Sequence, residues 1–134
     1  VTAPWTLSAV ALEKRTDTLK PALPVARPGV AYQPTANTPH LRTALLAAGS
    51  DMASIGEDGT TRHRGIYQLS VVYPSGKGVG ALLTKADAVA NHFSRQRLTE
   101  GAVAVQCEVP QLGPVIYEAD WVSVPVSVPF FVTV

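Results

Sequence analysis

"RHRGIYQLSVVYPSGKGVGALL", residues 62–83, opens on a basic cluster, becomes an alternating apolar run and breaks at a glycine-rich turn. Period-two counting places Tyr67, Leu69, Val71 and Tyr73 on one face and Ile66, Gln68, Ser70 and Val72 on the other. The first set predicts a strand with an apolar side, and the second set is mixed rather than polar. After the turn, Leu82, Ala86, Val89 and Phe93 recur at helical spacing, with Lys85, Asn91 and Arg95 outside the stripe. Basic residues beside such a turn raise the question of a phosphate site. A P-loop needs a glycine five residues before its Gly-Lys pair and a Ser or Thr after it. Here those places hold Val71 and Gly78, and Gly76, Gly78 and Gly80 do not have dinucleotide-fingerprint spacing. The glycines instead suit the positive φ angles of a tight strand-to-helix turn.

Towards the N-terminus, Trp5, Ala9, Leu12, Thr16 and Leu19 share a helical face, and Pro21 stops the run. Thr16 weakens that stripe, and Glu13, Lys14, Arg15 and Asp17 fill the rest, as in an amphipathic surface helix. Prolines 21, 24, 28, 34 and 39 follow and read as a stiff extended connection within one fold. Residues 25–34, "VARPGVAYQP", are a short strand candidate broken at Pro28-Gly29, and 40–48, "HLRTALLAA", a better one. "GSDMASIGEDGT", residues 49–60, reads as a long exposed loop, a common setting for partner binding.

Towards the C-terminus, "GAVAVQCEV" alternates as strand, and "DWVSVPVSVPFFVTV", residues 120–134, alternates most cleanly. Val122, Val124, Val126, Val128 and Phe130 share one side, and Ser123, Pro125, Ser127 and Pro129 the other. Pro125 and Pro129 are four apart, so both missing N–H donors fall on one side of the strand. That side cannot carry a continuous ladder, which predicts a sheet-edge position with a buried apolar face. The order of elements predicts an α+β single domain, a twisted, mainly antiparallel sheet packed by two helices.

The chain's 134 residues, 46% of them apolar, suit one domain with its own core. A net charge of +1 offers no basis for nucleic-acid or membrane attraction. Cys107 stands alone, which fits a reducing compartment. No apolar run reaches the roughly 20 residues of a membrane span. The opening residues lack a signal-peptide pattern, and the missing initiator Met suits a processed or trimmed terminus.

Catalytic signatures are weak. His40, His63 and His92 have no ligand spacing, Cys107 falls in an apolar strand that predicts a buried inert thiol, and no G-x-S-x-G elbow occurs. Glu57 and Asp58 are adjacent acids in a loop, normally just solvated. The cluster Arg62, His63 and Arg64 reads either as solvated strand-end charge or as a contact with another subunit or partner, where arginine is favoured. Trp121, on the non-core face of the last strand, also suits a protein contact. Arg62, Arg64 and Trp121 are therefore the candidate interface residues.

"RHRGIYQLSVVYPSGKGVGAL" resembles the central signature of the tail terminator (tail completion) proteins of long-tailed bacteriophages. A basic residue and glycine precede Tyr-Gln, an apolar strand, Pro and a Gly-x-Gly turn into a helix. "TPHLRTALLAAG" resembles that family's second strand, and "DWVSVPVSVPFFV" its closing strand with a Trp and Val-Pro repeats. The likeness runs through nearly the whole chain and implies one terminator-like domain, residues 1–134. It implies a virion tail protein, assembled in the host cytoplasm, that forms a homo-oligomeric ring, hexameric in the family. Such a ring caps the tail tube, stops its growth and presents a surface to the head–tail connector. No catalytic residues, cofactor or metal are implied. The competing expectations are another connector or tube-like subunit, and a small hydrolase or ligand-binding domain using Cys107 or a histidine.

Overall fold

In the computed structural model, residues 3–19, 23–27, 29–34, 37–56, 59–76 and 78–134 are described. Their elements run α1 (Pro4–Asp17), β1 (Val25–Ala26), β2 (His40–Met52), β3 (Thr61–Pro74), α2 (Gly80–Phe93), β4 (Arg97–Glu100), β5 (Val103–Cys107), β6 (Gln111–Leu112), β7 (Ile116–Tyr117) and β8 (Trp121–Thr133). One sheet takes the order β1-β2-β3-β8-β5-β4, with β6 and β7 also paired to β8. Every pairing is antiparallel except β1 with β2. This is the predicted α+β architecture, a curled, mainly antiparallel sheet with two helices.

The predicted strand faces and the second helical stripe meet in one core. Tyr67, Leu69 and Val71 of β3 and the even-numbered residues of β8 from Val122 to Val132 are buried there. Leu12 of α1, Leu82, Ala86, Val89 and Phe93 of α2, and Val103, Val105 and Cys107 of β5 join the same cluster. Gly76 and Gly78 adopt φ +87° and +73° in the turn that starts α2, as the sequence requires; Lys77 lies outside the described residues.

Thr16 is not the defect in α1 that its polarity suggests. Its hydroxyl donates to the Leu12 carbonyl at 2.9 Å, so the buried Tyr67 hydroxyl, 3.0 Å away, donates to Thr16 Oγ1. A threonine there gives the buried phenol a partner on α1, beside Thr43 on β2. Ser8 and Ala11, rather than Ala9, are the small buried residues of the helix. The helix ends at Asp17 with Leu19 buried just beyond it, whereas Pro21, the predicted stop, lies outside the described residues. In α2 the expectation for Lys85 fails: it is only 6% exposed, and desolvation lowers its pKa. A long aliphatic stem lets lysine occupy a core-facing helix position.

Between α1 and β2, the described part of the connection contributes only Val25–Ala26 as strand, and Pro28 lies outside the described residues. Arg27 ties the connection back to α1 through ion pairs with Asp17 and, at 3.8 Å, Glu13.

Two expectations are corrected by the sheet. The C-terminal strand β8 is central, not an edge: thirteen consecutive residue pairs join it to β3. The prolines still act as predicted on their own side. Trp121, Pro125 and Pro129 turn their carbonyls towards Glu118 N, Gly113 N and Glu108 N, each at 2.8 Å. Their backbone donors would point the same way, and there the partner is broken into β7, β6 and β5. The second correction concerns residues 49–60. Gly49–Met52 extend β2 against Thr61–Arg64 after a bulge between Ala47 and Gly49, where Gly49 takes φ +131°. The predicted long loop is a β-hairpin arm with a short tip.

Candidate functional site

Register and pleat decide what the basic cluster does. Arg62 and Arg64 are even-numbered and share the face away from the helices, while His63 between them turns to the helical side. There the His63 ring meets Trp5 at 5.8 Å and its Nδ1 lies 2.7 Å from Ser50 Oγ. The half-buried Arg62 guanidinium sits 4.9 Å from the centroid of the Phe131 ring. A cation held over an aromatic face contributes about 0.5–2 kcal/mol, more as water is excluded. Arg64 Nε lies 3.6 Å from Asp51 Oδ2 across the arm, with both side chains more than half exposed. Such an exposed pair contributes less than about 1 kcal/mol to stability.

Trp121 is not part of that site. Arg62 pairs with Thr133 and Pro74 with Trp121, so the tryptophan stands at the opposite end of β3, about 40 Å along the strand. Its ring meets buried His40 edge-on at 5.0 Å, and His40 in turn lies 5.4 Å from Tyr32. These residues border an open cavity of about 360 Å³, with Val30, Arg42 and Glu118 on its rim. Desolvation lowers the pKa of His40, more than the backbone hydrogen bond at Thr38 raises it. Trp121 and Val72 close over His40, giving this end of the sheet a small second core on its outer face.

Sequence reading missed the apolar residues of the arm. Met52 is 80% exposed, Ile55 99% and Leu46 47%. For Met52 and Ile55 the signal was present as apolar residues inside a polar glycine-rich stretch, but exposure depends on what packs against them in the fold. The tip is closed by Ala53 N donating to Thr60 O at 2.8 Å and by Thr60 N donating to Ser54 Oγ at 2.7 Å.

Burial pushes the Cys107 thiol up to about 11, so at neutral pH it is protonated and a poor nucleophile. His92 Nε2 lies 2.9 Å from both Arg15 O and Thr18 Oγ1, and desolvation lowers its pKa. Among the described residues, no group of three or more His, Cys, Asp or Glu is placed to hold a metal ion. Glu57 and Asp58 lie outside the described residues. No helix among those described is long and apolar enough to cross a membrane.

A family model described as phage tail terminator protein matches residues 8–130. No curated protein matches the chain. Among solved structures, one chain with 26% sequence identity superposes with a TM-score of 0.77, covering 98% of this chain and 96% of that one.

Proposed function

The chain belongs to the phage tail terminator family, and we propose that it closes into a ring, hexameric as its family resemblance implies, that caps the tail tube. Family membership makes it a structural component of the phage tail. The finer reading is that the ring stops tube growth and presents the surface that joins the head connector. The whole chain, residues 1–134, acts as one terminator-like domain without catalysis, and it assembles in the host cytoplasm. The match over residues 8–130, which spans α2, most of α1 and nearly all of the sheet, carries this reading. The outward-facing Arg62 and Arg64 support it as partner contacts, with Trp121 as a contact at the other end of the molecule.

The test removes the protein from an assembling phage and adds back either wild type or the Arg62→Ala, Arg64→Ala double variant. Without the protein, tails are expected to be abnormally long or unable to join heads. Wild type restores both length and joining. The double variant is expected to restore them at least tenfold less efficiently, since a buried interface arginine costs about 2 kcal/mol or more on truncation. The same loss recurs at every subunit boundary. Normal tails that join heads in the complete absence of the protein refute the terminator role. Normal rescue by the double variant discards only the two arginines. Unlimited polymerisation of the purified protein would favour a tube-like subunit instead.

A further inference from the structure

The cavity at the Trp121 end of the sheet contains a buried polar atom without a partner. His40 is 3% exposed, and its Nδ1 makes no hydrogen bond of normal length and angle among the described residues. A buried nitrogen left unpaired is costly, and it marks a place where a further polar group belongs. Arg42, exposed on the rim of the same cavity, has no ion pair among the described residues.

His40 and Arg42 are two apart on β2, so both stand on the sheet face away from the helices. Tyr32 and Trp121 meet the His40 ring at 5.4 and 5.0 Å and supply aromatic walls, with Val30 and Val72 as further apolar lining. The volume of about 360 Å³ lies within the roughly 300–1,000 Å³ of ligand sites. Sheet order sets the two rim charges on opposite sides: Arg42 is on β2 and Glu118 follows β7, with β3 and β8 between them. That layout matches an apolar body between the rings with a single carboxylate at the Arg42 side. A guanidinium fork binds such a carboxylate through two parallel hydrogen bonds. A second cavity of about 480 Å³ shares Pro34 and Trp121 with the first and is lined by Gln33, Asn37, Ser75 and Asp120. Its amide, hydroxyl and carboxylate groups suit the backbone N–H and C=O groups of an extended chain leading away. A lone small acid would leave that groove unused.

We propose that the His40 cavity captures the C-terminal residue of a partner protein, with an apolar side chain between Tyr32 and Trp121 and the terminal carboxylate on Arg42 and His40 Nδ1. The preceding residues of the partner run through the groove beside Gln33 and Asp120. Capture of a terminal carboxylate is a recurring mode of peptide recognition. Neutral imidazole carries its one N–H on either ring nitrogen, and a carboxylate at Nδ1 selects the tautomer that donates to it. The site is independent of the ring reading, since neither Arg62 nor Arg64 enters it.

The test titrates acetyl-trialanyl-phenylalanine, as the free acid and as the C-terminal amide, into the purified full chain. Calorimetry gives the affinity, and NMR of the imidazole nitrogens follows His40. The acid is expected to bind with a dissociation constant of about 1 mM or tighter. The amide should bind roughly tenfold or more weakly, because the charge-assisted contact is lost. Binding of the acid should also shift the His40 Nδ1 resonance. Arg42→Gln changes an exposed side chain and is expected to erase the difference between acid and amide. Equal binding of acid and amide by wild type overturns the proposal, as does a His40 resonance that does not move. Acetyl-phenylalanine binding as tightly as the peptide also overturns it, and identifies a small acid as the ligand. Absence of binding by the acid at about 10 mM overturns it as well and leaves water as the partner of His40. All of these readouts use the isolated subunit, so none of them bears on ring closure.

Discussion

Gly65 in β3 lies directly across from Phe130 in β8, and a methyl group there would stand 2.7 Å from Phe130 Cζ and 3.0 Å from Leu46 O. Its backbone is ordinary strand; the glycine is required because the aromatic ring covers it. Gly65→Ala is expected to cost about 1–3 kcal/mol by overpacking. Combined with Phe130→Leu, it should cost less than the two single losses added together, because the smaller side chain vacates the space. Urea denaturation of the four proteins measures this coupling, and strict additivity would refute the steric account. His40 makes a pH prediction. Desolvation lowers its folded pKa below the usual 6.5, so the unfolded chain binds the proton more readily. Stability is therefore full above about pH 6.5 and declines as the pH falls below it. His92 is shifted the same way, so His40→Gln should flatten only part of this slope. Urea midpoints at about pH 7.5 and 5.5 give the comparison, with wild type losing more on acidification. An unchanged slope in the variant would remove His40 from the account.

The element that most shapes the protein is β8. Its alternation was legible because a strand with one buried face repeats every two residues. Val126, at its centre, is fully buried between β3 and β6. Val126→Asp should cost several kcal/mol, because a carboxyl group would enter the core without a partner. Circular dichroism and solubility of the purified variant decide it, and a soluble, normally folded Val126→Asp protein would contradict the burial. The strand's neighbours were less legible. Its prolines mark one side as unable to hold a long ladder, which an edge or a row of short segments satisfies equally. The arm is a comparable case at the other end of β3. Glycines and acids in residues 49–60 resemble loop composition, yet Gly49 only absorbs a bulge and the pairing resumes as far as Met52. Local composition records a break in the pattern without recording that the chain continues in register beyond it.

For the whole molecule, β3 and β8 form a spine along which the candidate contacts are spread. Arg62 and Arg64 lie at the arm end and Trp121 at the far end, so three residues weighed as a similar kind of interface occupy two surfaces. Among the described residues the sheet ends in β1, paired only with the start of β2, on one side and in the short β4 on the other. Residue type and spacing by themselves determined the α+β class, the core faces of β3, α2 and β8, and the tight glycine turn before α2. These are local properties, set by a period of two or 3.6 and by backbone sterics. Tertiary structure alone decided that Thr16 answers Tyr67, that Lys85 lies inside, that β8 is central and that Met52 and Ile55 face water. Each of these depends on segments distant in sequence coming together. A proline deletes a donor wherever it stands, but only the fold determines which strand lies opposite the gap.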